Sequence, residues 1–187
     1  MLSQWFATHE QRLHKALTKN DLKQFRALLA QSIEVDFEPL ALTCITLERV
    51  PFLEALLEYK HLPDSFSAIA KAAIQSTHAA PILSALLKAG LSPRTTLEDQ
   101  PFAVQIIKYS TDHKMVLLSL LNQHGLDLNE IPELIDIAIE LGERPLLKYL
   151  IESGMIIKPA QLEPVESDIK RYVERLLADK QLRDSWQ

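Results

Sequence analysis

Pairs of apolar residues recur along this chain about every 30 residues, and this repetition restricts the possible folds more than any other feature. The pairs follow one another at spacings of 28, 30, 34 and 30 residues: Leu28-Leu29, Leu56-Leu57, Leu86-Leu87, Leu120-Leu121 and Leu150-Ile151. Each pair closes a short amphipathic stretch, and a second, shorter apolar segment precedes that stretch. The pattern therefore predicts a repeat made of a first helix, a tight turn, a second helix and a projecting loop.

The composition favours helices over strands. The chain has 33 leucines and 18 alanines but six valines, and strands are rich in β-branched and aromatic residues. Four glycines are too few for an all-β or dinucleotide-binding chain. We therefore expect an all-α protein.

Charge and cysteine content narrow the range of partners and compartments. Twenty basic and 25 acidic residues give a net charge of −5, so the basic excess typical of nucleic-acid binding is missing. Cys44 is the single cysteine, which excludes an internal disulfide and indicates a reducing compartment. The first ten residues carry no secretory signal, and no apolar run approaches the ~20 residues of a membrane span. We expect a cytoplasmic protein that binds neither nucleic acid nor membrane.

The ten prolines are consistent with this segmentation. Proline is tolerated in the first turn of a helix and in loops, but not in a helix interior. We place the starts of first helices at Pro39, Pro101, Pro132 and Pro159, the starts of second helices at Pro51, Pro81 and Pro145, and loops at Pro63 and Pro93; Pro164 opens a C-terminal helical segment. Gly90, Gly125 and Gly154 each follow a second helix, where a glycine commonly ends it.

The repeats resemble those of the ankyrin-repeat family, whose signature contains T-P-L-H-x-A-A and later G-A-D-V-N. Residues 13–16 (Leu-His-Lys-Ala) stand for L-H-x-A, residues 32–36 for G-A-D-V-N, and residues 125–129 (Gly-Leu-Asp-Leu-Asn) match that second element again. Gly142 and Gly154 occupy the two glycine positions of the fifth repeat. The resemblance covers roughly residues 10–160, and the T-P pair is intact in none of the repeats.

This resemblance implies a single domain, an ankyrin-like helical-repeat solenoid of about five helix-turn-helix repeats. The repeats span about 10–37, 38–65, 66–99, 100–130 and 131–158. A solenoid needs polar caps at both ends. We expect one helix over residues 3–18 to cap the first repeat and a helix over about 165–182 to cap the last.

We find no pattern typical of catalysis. Phosphate-binding glycine loops and a serine nucleophile motif are absent from the sequence. His9 and His14 stand five residues apart, which puts their side chains about 140° apart around a helix, so a shared metal is excluded. His14 stands at the signature histidine position and is expected to order its own loop, and Cys44 is expected to be a small buried apolar residue. We expect no enzyme activity, no cofactor and no metal.

Members of the ankyrin family mostly bind other proteins, and the resemblance implies contacts on first-helix faces and loop tips. The candidate contacts on first helices are Thr18, Lys19, Thr46, Gln75, Lys108, Tyr109, Asp136 and Glu140. The candidates at the tips are Glu38, Asp64, Arg94, Thr96, Glu98, Asn129 and Glu130. A small binding module of this kind suits an inhibitor, an immunity protein or a secreted bacterial effector. The alternatives are a HEAT-like helical-repeat nucleic-acid binder and an enzyme.

One stretch of the chain is strongly acidic. Residues 127–143 hold six acidic side chains and no lysine or arginine. Glu133, Asp136 and Glu140 are spaced i, i+3, i+7 and so share one helix face. The stretch is either a solvated face or a rim that attracts a partner with a basic surface.

Overall fold

The computed structural model describes residues 8–31, 35–59, 66–110 and 112–186. The chain divides into two compact units, Met1–Ser92 and Pro93–Gln187, called here the N-terminal and C-terminal units. The helices of the N-terminal unit are α1 (His9–Thr18), α2 (Leu22–Leu29), α3 (Phe37–Thr46), α4 (Val50–Tyr59), α5 (Ser67–Gln75) and α6 (Ala79–Lys88). The C-terminal unit contains β1 (Thr96–Leu97), β2 (Gln100–Pro101), α7 (Phe102–Tyr109), α8 (Lys114–Gln123), α9 (Glu133–Glu140), α10 (Arg144–Glu152), α11 (Pro159–Leu162) and α12 (Ser167–Asp184), with a 3₁₀ turn over Leu128–Glu130.

The N-terminal unit consists of three helical hairpins that stack in chain order. Within hairpins, α1 packs against α2, α3 against α4 and α5 against α6. Between hairpins, the second helices α2, α4 and α6 pack in sequence, and α3 packs against α5. Phe25 of α2 contacts Phe52 of α4 edge-on, with ring centroids 5.1 Å apart. Leu53 of α4 and Leu83 and Leu86 of α6 are fully buried.

The C-terminal unit repeats this arrangement. The hairpins α7–α8 and α9–α10 pack through both their first and their second helices, and α12 packs against α10. The two short strands form an antiparallel hairpin that contacts α7. The described chain is thus all-α, with helices that contact their first and second neighbours in sequence and two strands of two residues each.

Turn residues end these helices where the sequence predicted. Gly125 and Gly154 follow α8 and α10 with φ of +95° and +97°, a conformation that costs a residue with a Cβ. Within the hairpins, Asn20 and Glu48 also have positive φ, at +58° and +55°. All described prolines lie in loops, at caps or in the first turn of a helix, which confirms the predicted segmentation; Pro63 lies outside the described residues.

Two predicted boundaries need correction. The prediction of one continuous helix over residues 3–18 is wrong, since Thr8 is the N-cap of α1 and the helix begins at His9; residues 3–7 lie outside the described residues. Thr8 has an extended backbone, its hydroxyl accepts a hydrogen bond from the Gln11 amide at 3.2 Å, and the Gln11 side chain accepts one from the Thr8 amide at 2.9 Å. This capping box sets the start of α1, because side chains accept the hydrogen bonds of the amides of Thr8 and Gln11. The C-terminal helix predicted over about 165–182 is present as α12, which starts two residues later at Ser167, and the separate short helix α11 precedes it.

The C-terminal helix α12 is held to α10 by one buried contact and several polar ones. Val173 is its buried residue. The Tyr172 hydroxyl donates to the Arg144 carbonyl at 3.2 Å, and the Lys180 ammonium donates to the Ile151 carbonyl at 2.9 Å. The guanidinium of Arg144 lies 5.3 Å from the centroid of the Tyr172 ring. None of the helices in the described ranges is long and apolar enough to cross a membrane.

Leu86→Ala tests the stacking of the N-terminal unit. Leu86 is 1% exposed on α6, which packs against α4 and α5, so truncation should lower the free energy of unfolding by about 2–5 kcal/mol. Leu47→Ala is the matched control, because Leu47 is 43% exposed in the same unit and should cost far less. Urea unfolding of both variants measures the difference, and equal midpoints would contradict the assignment of Leu86 to the core.

Candidate partner-binding surface

The structure places the candidate contacts of the first helices, except Asp136 in the middle of α9, at or beside the ends of those helices. Thr18, Thr46, Gln75, Tyr109 and Glu140 are the last residues of α1, α3, α5, α7 and α9, and all five are exposed. Lys108 and Lys19, one residue before and after such an end, are exposed too. The Thr18 hydroxyl donates to the His14 carbonyl at 2.8 Å. These positions are equivalent within the hairpins, so each hairpin presents an exposed side chain beside its inner turn: threonine in the first two, then glutamine, tyrosine and glutamate.

Two of the predicted tip residues are brought together. The Arg94 guanidinium donates from Nε and Nη2 to the two carboxylate oxygens of Glu130, at 2.8 and 2.7 Å. Hydrogen bonding to Arg94 lowers the pKa of Glu130, and the same pairing raises the pKa of Arg94. The pair is half-exposed, so its main effect is to hold the loop before β1 against the 3₁₀ turn.

The other residues of the 94–99 tip lie on the β-hairpin. Thr96 is in β1, and Glu98 and Asp99 form its turn, with φ of +52° and +61°. Buried Gln105 of α7 fixes this hairpin, because its Nε2 donates to the Leu97 carbonyl at 3.2 Å. Glu38 is half-buried in the first turn of α3, and Asp64 lies outside the described residues.

Asn129 connects two successive loops of the C-terminal unit. Its Oδ1 accepts a hydrogen bond from the Ile156 amide at 2.9 Å, and its Nδ2 donates to the Gly154 carbonyl at 3.3 Å and to Asp127 at 3.1 Å. The Asn129 amide also donates to Asp127 Oδ1, at 2.9 Å. The side chain is exposed, but its polar atoms serve the fold, and its role in partner binding stays a prediction.

The acidic stretch over residues 127–143 divides into internally bonded and solvent-facing carboxylates. Asp127 caps the 3₁₀ turn, and Glu130 pairs with Arg94. Glu143 pairs with Lys114, and Asp136 Oδ1 accepts from Gln161 Nε2 at 2.7 Å. Within the described chain, Glu133 and Glu140 form no salt bridge, and both are exposed. The stretch is therefore neither a uniformly solvated face nor a uniformly free acidic rim.

A groove of about 880 Å³ lies beside the end of α9, and no pattern in the sequence predicts it. Its lining comes from α9 and the turn after it, from α11 and the residues that flank it, and from the start of α12: Asp136, Ile139, Glu140, Leu141, Gly142, Lys158, Ala160, Gln161, Pro164, Val165, Glu166 and Ile169. Two predicted contacts, Asp136 and Glu140, share its wall. Periodicity within each helix cannot show this groove, because it depends on how far α11 extends along α9.

The histidines and the cysteine of the described chain do not form a metal site with three protein ligands. His9 is 9% exposed, and neither of its ring nitrogens has a hydrogen-bond partner among the described residues. His14 lines a small pocket of about 100 Å³ together with Glu10 and Asp36. Among the described residues, no three His, Cys, Asp or Glu side chains could hold one metal ion. Cys44 is 1% exposed, as predicted, and burial raises the pKa of its thiol to about 12.

A small polar cluster joins the second and third hairpins of the N-terminal unit. The Thr77 hydroxyl donates to Glu48 and lies 3.1 Å from His78 Nδ1, which lies 3.4 Å from the Glu48 carboxylate. The hydrogen bond from Thr77 lowers the pKa of Glu48, and His78 adds to the effect. Glu48 has positive φ in the turn between α3 and α4, so this cluster supports a strained turn residue.

Asn129→Ala should destabilise the C-terminal unit. The change removes the bonds to Gly154 and Ile156 together, and we expect a loss of about 1–3 kcal/mol. Asn122→Ala is the control, since Asn122 is an exposed asparagine in α8 of the same unit. Chemical denaturation compares the two variants, and equal stability would remove the assigned role of Asn129.

Thr77→Val should raise the pKa of Glu48 towards its ordinary value, and more than His78→Gln does, because the hydrogen bond from Thr77 is the larger cause. A carboxyl group with a lowered pKa stabilises the fold above its unfolded pKa, and this contribution disappears as the pH falls through the lowered value. Carbon-detected NMR titration of the Glu48 carboxyl group measures each shift. A larger rise in the pKa of Glu48 in His78→Gln than in Thr77→Val would contradict the assignment of the Thr77 hydrogen bond as the main cause.

Comparison of the chain with protein-family models, with curated proteins and with solved structures gives no match. The function is therefore inferred from the residues and contacts described above.

Proposed function

We propose that this chain is a non-catalytic protein-binding module built from about five ankyrin-like repeats with polar caps. The resemblance of the repeats to the ankyrin signature supports the finer fold, and the sequential packing of helical hairpins is consistent with it. The cytoplasm is the proposed compartment. The chain would act on its partner as an inhibitor, as an immunity protein or as an effector.

One observation carries the proposal: in each of the five hairpins the last residue of the first helix is exposed, and these residues include threonine, glutamine, tyrosine and glutamate. The series runs threonine, threonine and glutamine in the N-terminal unit, then tyrosine and glutamate in the C-terminal unit. The helices behind these residues are fixed by buried apolar faces. Rigid helices that present variable side chains at equivalent positions suit recognition of a protein surface.

The contacts described above refine the set of proposed binding residues. Arg94, Glu130, Asn129 and Asp136 use polar atoms to hold the C-terminal unit together. Tyr109 and Glu140 are the candidates for a partner contact that we test, because both are exposed at the ends of first helices. Tyrosine is also enriched among the residues that dominate binding energies.

Affinity capture with the full chain, followed by mass spectrometry, tests the proposed function. Tyr109→Ala should weaken binding of a captured protein by about tenfold or more, as expected for an anchoring aromatic residue. Tyr59→Ala is the matched control, because Tyr59 is 45% exposed at the end of a second helix and Tyr109 is 43% exposed at the end of a first helix. Equal affinities of the two variants would contradict the proposed surface, and recovery of nucleic acid instead of protein would favour the HEAT-like alternative.

Glu140→Lys should slow association with a captured basic partner and flatten its dependence on salt. Exposed charges at a rim steer the encounter and affect the association rate more than the dissociation rate, and they are screened over ~8 Å at physiological ionic strength. Glu174→Lys makes the same charge change on an exposed position of α12 and serves as the control. Surface plasmon resonance at low and high salt measures both rates. Unchanged association at low salt would return this part of the acidic stretch to a solvated face.

A further inference from the structure

The groove beside α9 arises because α11 is short. The first helices of the hairpins before it, α7 and α9, have eight residues each, whereas α11 has four. Gln161 of α11 reaches Asp136 near the middle of α9, and the chain then turns at Pro164 into α12. Beyond that point the groove separates Ile139, Glu140 and Leu141 from Val165, Glu166 and Ile169 at the start of α12.

The uncovered part of α9 is apolar. Leu141, directly after α9, is 49% exposed, and Ile139 is partly exposed. Val165 and Ile169 of the opposite wall are partly exposed too. Burial of such side chains by a bound partner is favourable because it removes apolar surface from water. The groove therefore offers a hydrophobic floor that the described chain does not itself fill.

The rim of the groove is negatively charged. Asp136, Glu140 and Glu166 line it, against one cation, Lys158. The last turn of α9 adds the partial negative charge of a helix C-terminus on the same side. In the described chain, Glu140 and Glu166 have no salt bridge to a lysine or arginine. An apolar floor under an acidic rim is complementary to a ligand that is apolar on one side and cationic beside it.

We propose that this groove binds an amphipathic helix of a partner protein, with its apolar face on Ile139, Leu141 and Ile169 and its Lys or Arg residues beside Glu140 and Glu166. The proposal rests on the proposed function, since it specifies the partner of the same protein-binding module. A helix is favoured over a strand because helices and turns form the walls of the groove, so no strand edge is offered for main-chain pairing.

A synthetic peptide tests this inference without a known partner. The probe is a fluorescein-labelled Leu/Lys peptide of about 18 residues, five helical turns, with leucines at i, i+3, i+4 and i+7. One control peptide has the same composition in an order that spreads the leucines around the helix, and another carries Glu in place of Lys. Fluorescence anisotropy with the full chain should show binding of the first peptide at least about tenfold tighter than of either control.

Two pairs of variants localise the binding. Leu141→Glu should weaken it at least about tenfold, whereas Leu182→Glu, at a 61% exposed position of α12 outside the groove, should leave it unchanged. The double reversal Glu140→Lys and Glu166→Lys should weaken it more than the control reversal Glu174→Lys and Asp179→Lys, which changes the net charge equally at exposed positions of α12. Circular dichroism of each variant checks that it is folded.

Several results would overturn the inference. Equal binding of the ordered and reordered peptides would reduce the effect to charge attraction, and equal losses in test and control variants would place the peptide elsewhere. A concentration-dependent dimer, seen by analytical ultracentrifugation and abolished by Leu141→Glu, would assign the groove to a second copy of the chain. Amide chemical shifts that move only outside α9, α11 and α12 would contradict it as well.

The failure of this inference is distinguishable from failure of the proposed function. A captured protein whose binding depends on Tyr109 but not on Leu141 or Glu166 would leave the binding module in place and remove the groove from it. If the peptide fails and no captured protein depends on Tyr109, both proposals are wrong.

Discussion

Burial between the second helices of successive hairpins is the interaction on which the N-terminal unit depends. A single hairpin of two short helices, such as α3 with α4, cannot bury both sides of its apolar surface. Phe52, Leu53 and Leu56 of α4 reach near-complete burial because α2 and α6 lie against α4 on either side. Nearest-neighbour packing of this kind makes the stability of each hairpin dependent on the next, and it explains why apolar pairs recur about every 30 residues.

The sequence predicted much of the fold because residues at the helix ends themselves, such as proline and glycine, determine where a helix starts and stops. Prolines can occupy few positions in a helix, and a glycine at positive φ ends one, so Pro145 and Gly154 bracket α10 closely. The misplaced start of α1 has the same kind of cause. Thr8 and Gln11 form a capping box that can be read from the sequence, but the apolar pattern before it suggested a longer helix.

The candidate surface was less predictable than the helices. The position of a residue in its repeat predicts whether its side chain is exposed, but its hydrogen bonds depend on residues far away in the sequence. All the candidate contacts at first-helix ends are exposed, as their positions implied. The Arg94–Glu130 pair spans 36 residues and the bonds of Asn129 span up to 27, and no periodic pattern indicates either. The groove depends on the length of α11, a helix of four residues that leaves almost no trace in hydrophobic periodicity.

At the end of α9, the residues present conflict with the rules that usually govern a helix C-terminus. A carboxylate in the last turn of a helix is unfavourable by about 0.3–1 kcal/mol, yet α9 ends at Glu140 without a basic residue in its last turn. Leu141 follows α9 directly, and this large apolar side chain is half-exposed. A bound cation beside Glu140 and an apolar side chain on Leu141 would remove both conflicts at once. Local conflicts that a ligand would relieve are expected at functional sites. This coincidence of charge, exposure and helix length makes the end of α9 the strongest candidate for recognition in the C-terminal unit.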